Sequence, residues 1–337
     1  MAREINLLRR TRLRKYGCCL TVLEAFAERA PTWQRGCLFF YAGLGTWLAP
    51  RFGVDMNGMW SRAETILADA RAVTSLDTLG LAELLARFAE LRVRKQDPLR
   101  FEEAKEHCYD HVFWPLAAHM AFALQPSAVE RLNFILQVAD SLHQEHARIA
   151  DLGCGPGMIL SDVLLRNPNW SGDGLDISRA VTEYASKLAT QKGVGDRAHF
   201  STGDIVSLPY RDACFDLVIV SEVLEHVPAI ETSLSEIARV LRPGGKLAVS
   251  VPIVSRTALH VHSLQGGEDV AALCRQVGLI TRHIETRLLP GFGDDWRHAF
   301  LVAESLGVDR SLPALAIKLA ASQWRDSLGV GEDLKSW

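Results

Sequence analysis

Apolar residues recur three and four apart through the first third of the chain, as at Leu76, Leu79, Leu81, Leu84, Leu85, Phe88 and Leu91, with charged residues between them. No strand-like alternation interrupts the pattern, which predicts an all-helical N-terminal domain over residues 1–126. Beyond it, short apolar runs alternate with helical stretches. The runs Arg148–Leu152, Gly172–Ile177, Ala198–Gly203, Phe215–Ser221, Lys246–Val251, Leu279–Thr286 and His298–Ala303 predict seven strands. Strands alternating with helices call for right-handed crossovers. Residues 127–337 are therefore expected to form an α/β domain, a doubly wound, seven-stranded, mostly parallel sheet.

The first predicted strand runs into Asp151-Leu-Gly-Cys-Gly-Pro-Gly157, followed by the apolar run Met158-Ile159-Leu160. A glycine-rich turn between strand and helix permits positive φ, close approach of a ligand and access to unsatisfied N–H groups. In doubly wound sheets ligands lie beyond the carboxyl ends of the strands, at the switch point. A dinucleotide fingerprint needs G-x-G-x-x-G, but the spacing here is G-x-G-x-G, with Met158 at the sixth position. Asp151, two residues before the first glycine, would repel a pyrophosphate and attract an amino group.

The second run ends at Asp176-Ile177, where a carboxylate can accept the hydroxyls of an unphosphorylated ribose. The third ends at Asp204-Ile205, an acid able to accept from an adenine amino group, with apolar neighbours to flank the ring. Three acids at three successive strand ends favour a cationic nucleoside.

The stretch from Ile149 to Val251 resembles the small-molecule branch of the class I S-adenosylmethionine (SAM) dependent methyltransferases. The resemblance is carried by the glycine turn and its acids, by Phe215–Ser221, by Glu222-Val-Leu-Glu-His226, and by Arg239-Val-Leu-Arg-Pro-Gly-Gly245. It implies that Asp151, Gly153, Cys154, Gly155 and Gly157 hold the methionine portion and Asp176 the ribose. Ile177 is expected on one face of adenine, Asp204-Ile205 at its hydrogen-bonding edge, and Ser221 and Glu222 beside the sulfonium. Pro243-Gly244-Gly245 reads as a helix stop and a tight turn before the fifth strand.

SAM carries an excellent leaving group, so the protein's task is alignment, exclusion of water and a deprotonated nucleophile. The candidate catalytic residues are His226, Glu222, His262 and Tyr109. His260 and His262 point the same way if their segment is extended, but no third ligand is evident, so no metal is expected. Asp294, Asp295 and Trp296 are acceptor-side candidates in a turn. Phe113 and Trp114, like Tyr109, are aromatic candidates near the sulfonium, and Trp33, Trp47 and Trp60 add to the aromatic load of the first third.

With 337 residues, a formal net charge of −3 and seven cysteines containing no C-x-x-C pair, the chain fits a reducing, cytoplasmic setting. The apolar stretches near Cys18 and from Cys37 to Pro50 are too short or too interrupted for a membrane span. The expected partner is a small-molecule acceptor, without nucleic acid or membrane, and a homodimer is compatible with the chain. The readings that compete with methyl transfer are cyclisation of SAM to azetidine-2-carboxylate and methylthioadenosine, and non-catalytic SAM binding.

Overall fold

The computed structural model describes Tyr109, Ala118 and residues 126–253, 260–289 and 297–306. Apart from Tyr109, Ala118 and Pro126, the predicted N-terminal domain lies outside the described residues, and so do Trp33, Trp47, Trp60, Phe113, Trp114 and Asp294, Asp295 and Trp296.

The α/β domain opens with helix α1 (Pro126–Asp140), followed by β1 (Arg148–Leu152), α2 (Met158–Arg166), β2 (Ser171–Asp176), α3 (Arg179–Gln191) and β3 (Ala198–Thr202). Then come β4 (Phe215–Ser221), a single 3-10 turn (Leu224–His226), α4 (Ile230–Val240), β5 (Leu241–Ile253), α5 (Gly267–Gln276), β6 (Leu279–Leu288) and β7 (Arg297–Ser305). One seven-stranded sheet has the order β3-β2-β1-β4-β5-β7-β6. Every pairing is parallel except those of β7 with β5 and β6. The expected seven strands are all present, five of them with ends moved by one to five residues.

Period-two alternation divides each central strand between two cores. Leu217 and Ile219 of β4 face Phe134, Ile135 and Leu160 of α1 and α2, whereas Val218 and Val220 face Leu234, Ile237 and Val270 of α4 and α5. Full burial of residues such as Ile149, Leu160 and Phe215 contributes about 1.5–3 kcal/mol each. The central strands are therefore fixed from both sides, and their carboxyl ends form a rigid edge.

Two local expectations are corrected. Pro243-Gly244-Gly245 does not precede the fifth strand: β5 already pairs at Leu241 with Phe215 and resumes at Lys246 with Leu217. Gly244, at φ 74°, lets the intervening residues bulge out within the strand, so α4 passes straight into β5. The second correction concerns the segment carrying His260 and His262, which bends back onto Glu225: the backbone N–H groups of Val261 and His262 both donate to the Glu225 carbonyl, at 2.8 and 3.1 Å.

Candidate functional site

The chain reverses its direction of travel across the sheet between β1 and β4, and the residues singled out in the sequence collect on the carboxyl edge there. At the end of β1 the backbone enters the glycine loop, whose Gly153 and Cys154 N–H groups donate to the Leu175 carbonyl of β2 at 2.7 and 3.0 Å. Gly153 sits at φ 72° against the Val223 side chain, so any larger residue there is strained in backbone and in space. Gly157, at φ 74°, begins α2 with no side-chain cap. A Cβ at Gly157 would lie 2.8 Å from the Phe200 ring. The loop is thus pressed on Phe200 below while its outer side faces the crevice.

Asp151 and Asp176 differ in their state. Asp176 holds the loop: one carboxylate oxygen accepts from Gly155 N–H and the other from Ser178 N–H, each at 3.0 Å. Asp151 is 2% exposed. Burial is the main cause that pushes its carboxyl up to about 7, opposed by a hydrogen bond from the Leu160 backbone and reinforced by the nearby Asp176 charge. Its Oδ2 has no hydrogen-bond partner among the described residues. A bare buried carboxylate oxygen is costly, and a cationic donor entering the crevice would remove that cost.

Another buried acid of the sheet, Asp216, is satisfied structurally. At the amino edge, Asp216 accepts from the Arg148 N–H at 2.8 Å and pairs with Arg242 at 2.6 Å.

Farther along the carboxyl edge, Asp204 accepts from Val206 N–H at 3.1 Å, which shapes the turn after β3. The Ile205 side chain is buried in the core on the α4–α5 side, so it offers a ligand only its backbone, while Ile177 is half-buried beside Asp176. Cys154 is buried, and burial raises its thiol well above the ordinary range. A thiol held protonated in this way has a packing role in the loop.

Around the end of β4 the geometry is tighter. Ser221 Oγ lies 2.8 Å from Ser250 Oγ of β5. Glu222 adopts φ 58°, which is rare for a side chain of its size, and its N–H donates to the Ser250 carbonyl at 2.9 Å. Its carboxylate meets Arg131 of α1 at 3.3 Å and His298 of β7 at 2.9 Å. Although burial works against it, the charges of Arg131 and His298 hold the Glu222 carboxyl below its usual range. A base so weakened and so tightly paired is a scaffold for its neighbours.

His226, on the 3-10 turn, places Nδ1 3.3 Å from the Tyr109 hydroxyl and Nε2 3.6 Å from Oε1 of Glu225. His260 packs edge-on against His226, with ring centroids 4.9 Å apart. His262 is turned elsewhere, its Nε2 lying 2.8 Å from the Val227 carbonyl. The two histidines therefore do not act together, because the bend that anchors residues 261 and 262 on Glu225 separates them. His260 instead joins His226 and Glu225, and this corrects the expectation that no third metal ligand is available.

Sequence reading missed Arg131, His298 and Glu225 as members of the site. Each carries a faint signal: a charged or titratable residue inside an otherwise apolar helix, strand or turn. His298 reaches the carboxyl edge only because β7 runs antiparallel, which brings its first residues beside Pro252 and Ile253 at the end of β5.

Residues 150–249 match a family model described as a methyltransferase domain. The chain is 36% identical over 110 residues to the methyltransferase GfsG of Streptomyces halstedii, covering 33% of this chain and 39% of that protein. It is 36% identical over 137 residues to the 27-O-demethylrifamycin SV methyltransferase of Amycolatopsis mediterranei, covering 39% of this chain and 46% of the relative. The O-methyltransferase cnsE of Penicillium expansum is 31% identical over 141 residues, 39% of this chain and 51% of that one. The chain thus spans about half the length, or less, of these curated relatives. In fold it is similar to the crystal structure of the [4+2]-cyclase SpnF, with a TM-score of 0.50 and 20% identity over 62% of this chain and 97% of that one. No helix among the described residues is long and apolar enough to cross a membrane. The glycine loop and the acids at 151, 176 and 204 all lie within the stretch that matches the methyltransferase domain, and over that stretch the chain is similar to class I SAM-dependent methyltransferases.

Proposed function

We propose that the protein transfers the methyl group of SAM to a small-molecule acceptor, in agreement with the methyltransferase relatives of the domain. The observation that carries this reading is the bare Oδ2 of Asp151, a buried carboxylate beside a glycine loop, which suits the α-ammonium of SAM. Asp176 accepts the ribose hydroxyls with the lone pairs its two backbone donors leave over. Asp204 and the Ile205 backbone meet the adenine edge, Ile177 meets its face, and Gly153, Cys154, Gly155 and Gly157 bound the methionine portion. Ser221 and Glu222 border the reacting end. When bound, SAM supplies an electrophilic methyl on a positively charged sulfur.

The chain's own contribution is orientation and proton control. His226 takes the acceptor's proton. Its ring is held by the Tyr109 hydroxyl on one side and by Glu225 on the other. We assign residues 1–126, described only at Tyr109, Ala118 and Pro126, to the acceptor side as a cap domain, and residues 127–337 to SAM binding. The contact from Tyr109 to His226 supports that arrangement. Acceptor choice then resides largely in the cap, and a cytoplasmic small molecule is the expected partner.

The test is to incubate the purified chain with methyl-labelled SAM, with and without a metabolite extract, and to read the products by mass spectrometry. Adenosylhomocysteine and a labelled metabolite appearing only with extract are expected. Enzyme-dependent methylthioadenosine without extract would replace this reading by SAM cyclisation, and SAM binding with no product under either condition would replace it by a binding role.

A further inference from the structure

We propose that Glu225, His226 and His260 form a binding site for one divalent first-row transition cation at the carboxyl end of β4. One ligand atom from each of the three lies within 4.8 Å of the others. Ligands sharing an ion through bonds of about 2.1 Å stand roughly 3–3.5 Å apart, so the widest pair closes by at most about 1.3–1.8 Å on loading.

Three observations support the site independently of that spacing. First, Glu225 is 1% exposed and its Oε2 has no hydrogen-bond partner among the described residues. The Arg131 guanidinium is paired with the neighbouring Glu222 at 3.3 Å. The other oxygen, Oε1, already lies 3.6 Å from Nε2 of His226, so an ion between them would also satisfy the bare Oε2 side of the carboxylate. Second, the backbone carries the ligands to one place: the strap after residue 259 is hydrogen-bonded through Val261 and His262 N–H to the carbonyl of Glu225 itself. Third, the Tyr109 hydroxyl engages Nδ1 of His226, and the nitrogen turned toward Glu225 is Nε2. A ligating histidine held through its other nitrogen is the usual arrangement around such ions.

Two imidazoles and one carboxylate suit Mn²⁺, Fe²⁺, Co²⁺ or Zn²⁺ over Mg²⁺ and Ca²⁺, which prefer all-oxygen shells. Three protein ligands leave coordination positions for other groups. The consequence for substrate class rests on the methyl-transfer reading above, although the ion site itself does not. A hydroxyl of the acceptor placed on the ion breaks its O–H bond near neutral pH, the proton leaving to solvent and the electron pair remaining on oxygen. His226 then serves as a ligand, and the base it provides in the ion-free protein is no longer needed. The acceptor class is accordingly an oxygen nucleophile such as a phenol, an enol or neighbouring hydroxyls.

The experiment titrates Co²⁺ into the full chain, free of any histidine tag, and reads visible absorption and calorimetric stoichiometry. About one equivalent is expected to bind, with affinity reduced more than tenfold in both His226→Ala and His260→Ala, and about tenfold in Tyr109→Phe. His260 is only half-buried, so its variant keeps the test usable if Glu225→Gln does not fold, and circular dichroism checks the fold of each. Absence of Co²⁺ uptake, or uptake left intact by either histidine substitution, overturns the proposal. SAM is titrated separately on the same protein, so that loss of the SAM reading and loss of the ion site are told apart.

Discussion

The two halves of the carboxyl edge are built on different principles. Between β1 and β3 the site is a series of backbone turns, each close in sequence to the strand that feeds it: the glycine loop after β1, Asp176 after β2 and Asp204 after β3. Around β4, β5 and β7 it is a buried set of charges drawn from α1, the 3-10 turn, β7 and the residue 260–262 strap. The first half leaves a carboxylate oxygen bare for a ligand, whereas Glu222 in the second is saturated by its neighbours. Ligand chemistry should therefore dominate the response to mutation around Asp151 and Asp176, and protein stability the response around Glu222.

The largest effect that would break this contrast is expected at Arg131. Removing it by Arg131→Ala leaves Glu222 with His298 as its one paired cation among the described residues, in a mostly buried position, at a cost of about 3–5 kcal/mol. Chemical denaturation should show the loss as a shifted midpoint. A change below roughly 1 kcal/mol would mean that the charged cluster is not what holds α1 to the sheet.

Asp151 comes next, and here pH is the sharper tool. Its folded-state value of about 7 lies above the ordinary 3.8, so the folded state keeps a proton that the unfolded chain loses. Ligand-free stability therefore declines as pH rises from about 4 to 7, by roughly 2–4 kcal/mol, and the decline should be absent in Asp151→Asn. An ammonium seated on the ionised carboxylate reverses the preference. SAM affinity should rise as pH increases toward 7, with proton release visible by calorimetry in buffers of different ionisation enthalpy. It should fall again above the α-amino range of about 7.7–8.0. Affinity independent of pH between 5.5 and 7 would remove Asp151 from the ammonium site.

Asp176→Ala tests whether loop and ligand share one carboxylate. Charge-assisted hydrogen bonds of about 1.5–3 kcal/mol each are lost from Gly155 and Ser178, and SAM affinity should fall at least tenfold. Equal SAM affinity in variant and parent, measured by calorimetry, would limit Asp176 to shaping the loop. The smallest effect is expected for Tyr109→Phe without added metal. Loss of one neutral hydrogen bond to His226, about 0.5–1.5 kcal/mol, should lower kcat roughly three- to tenfold while leaving KM for SAM unchanged.

Much of the domain was legible before any coordinates. The seven strands, their mostly parallel sense, the glycine loop and the acids at 151, 176 and 204 follow from short apolar runs alternating with helical stretches and from turn chemistry, both of which are local. What was misread has a common cause. The bulge at Gly244 depends on which residue of β4 each residue of β5 faces, and the divergence of His260 and His262 depends on a carbonyl 35 or more positions away in the chain.

By itself the sequence determined the sheet, the loop and the row of acids, because hydrophobic periodicity and glycine placement act over a few residues. Only the tertiary structure decided what those acids are. It buried Asp151 beside Asp176 and raised its proton affinity, and it set Arg131 and His298 on Glu222 through a helix before the sheet and an antiparallel strand at its far side. It also brought Glu225, His226 and His260 into one cluster. Burial and long-range pairing fix the charge state of a carboxylate, and neither is written in the residues next to it.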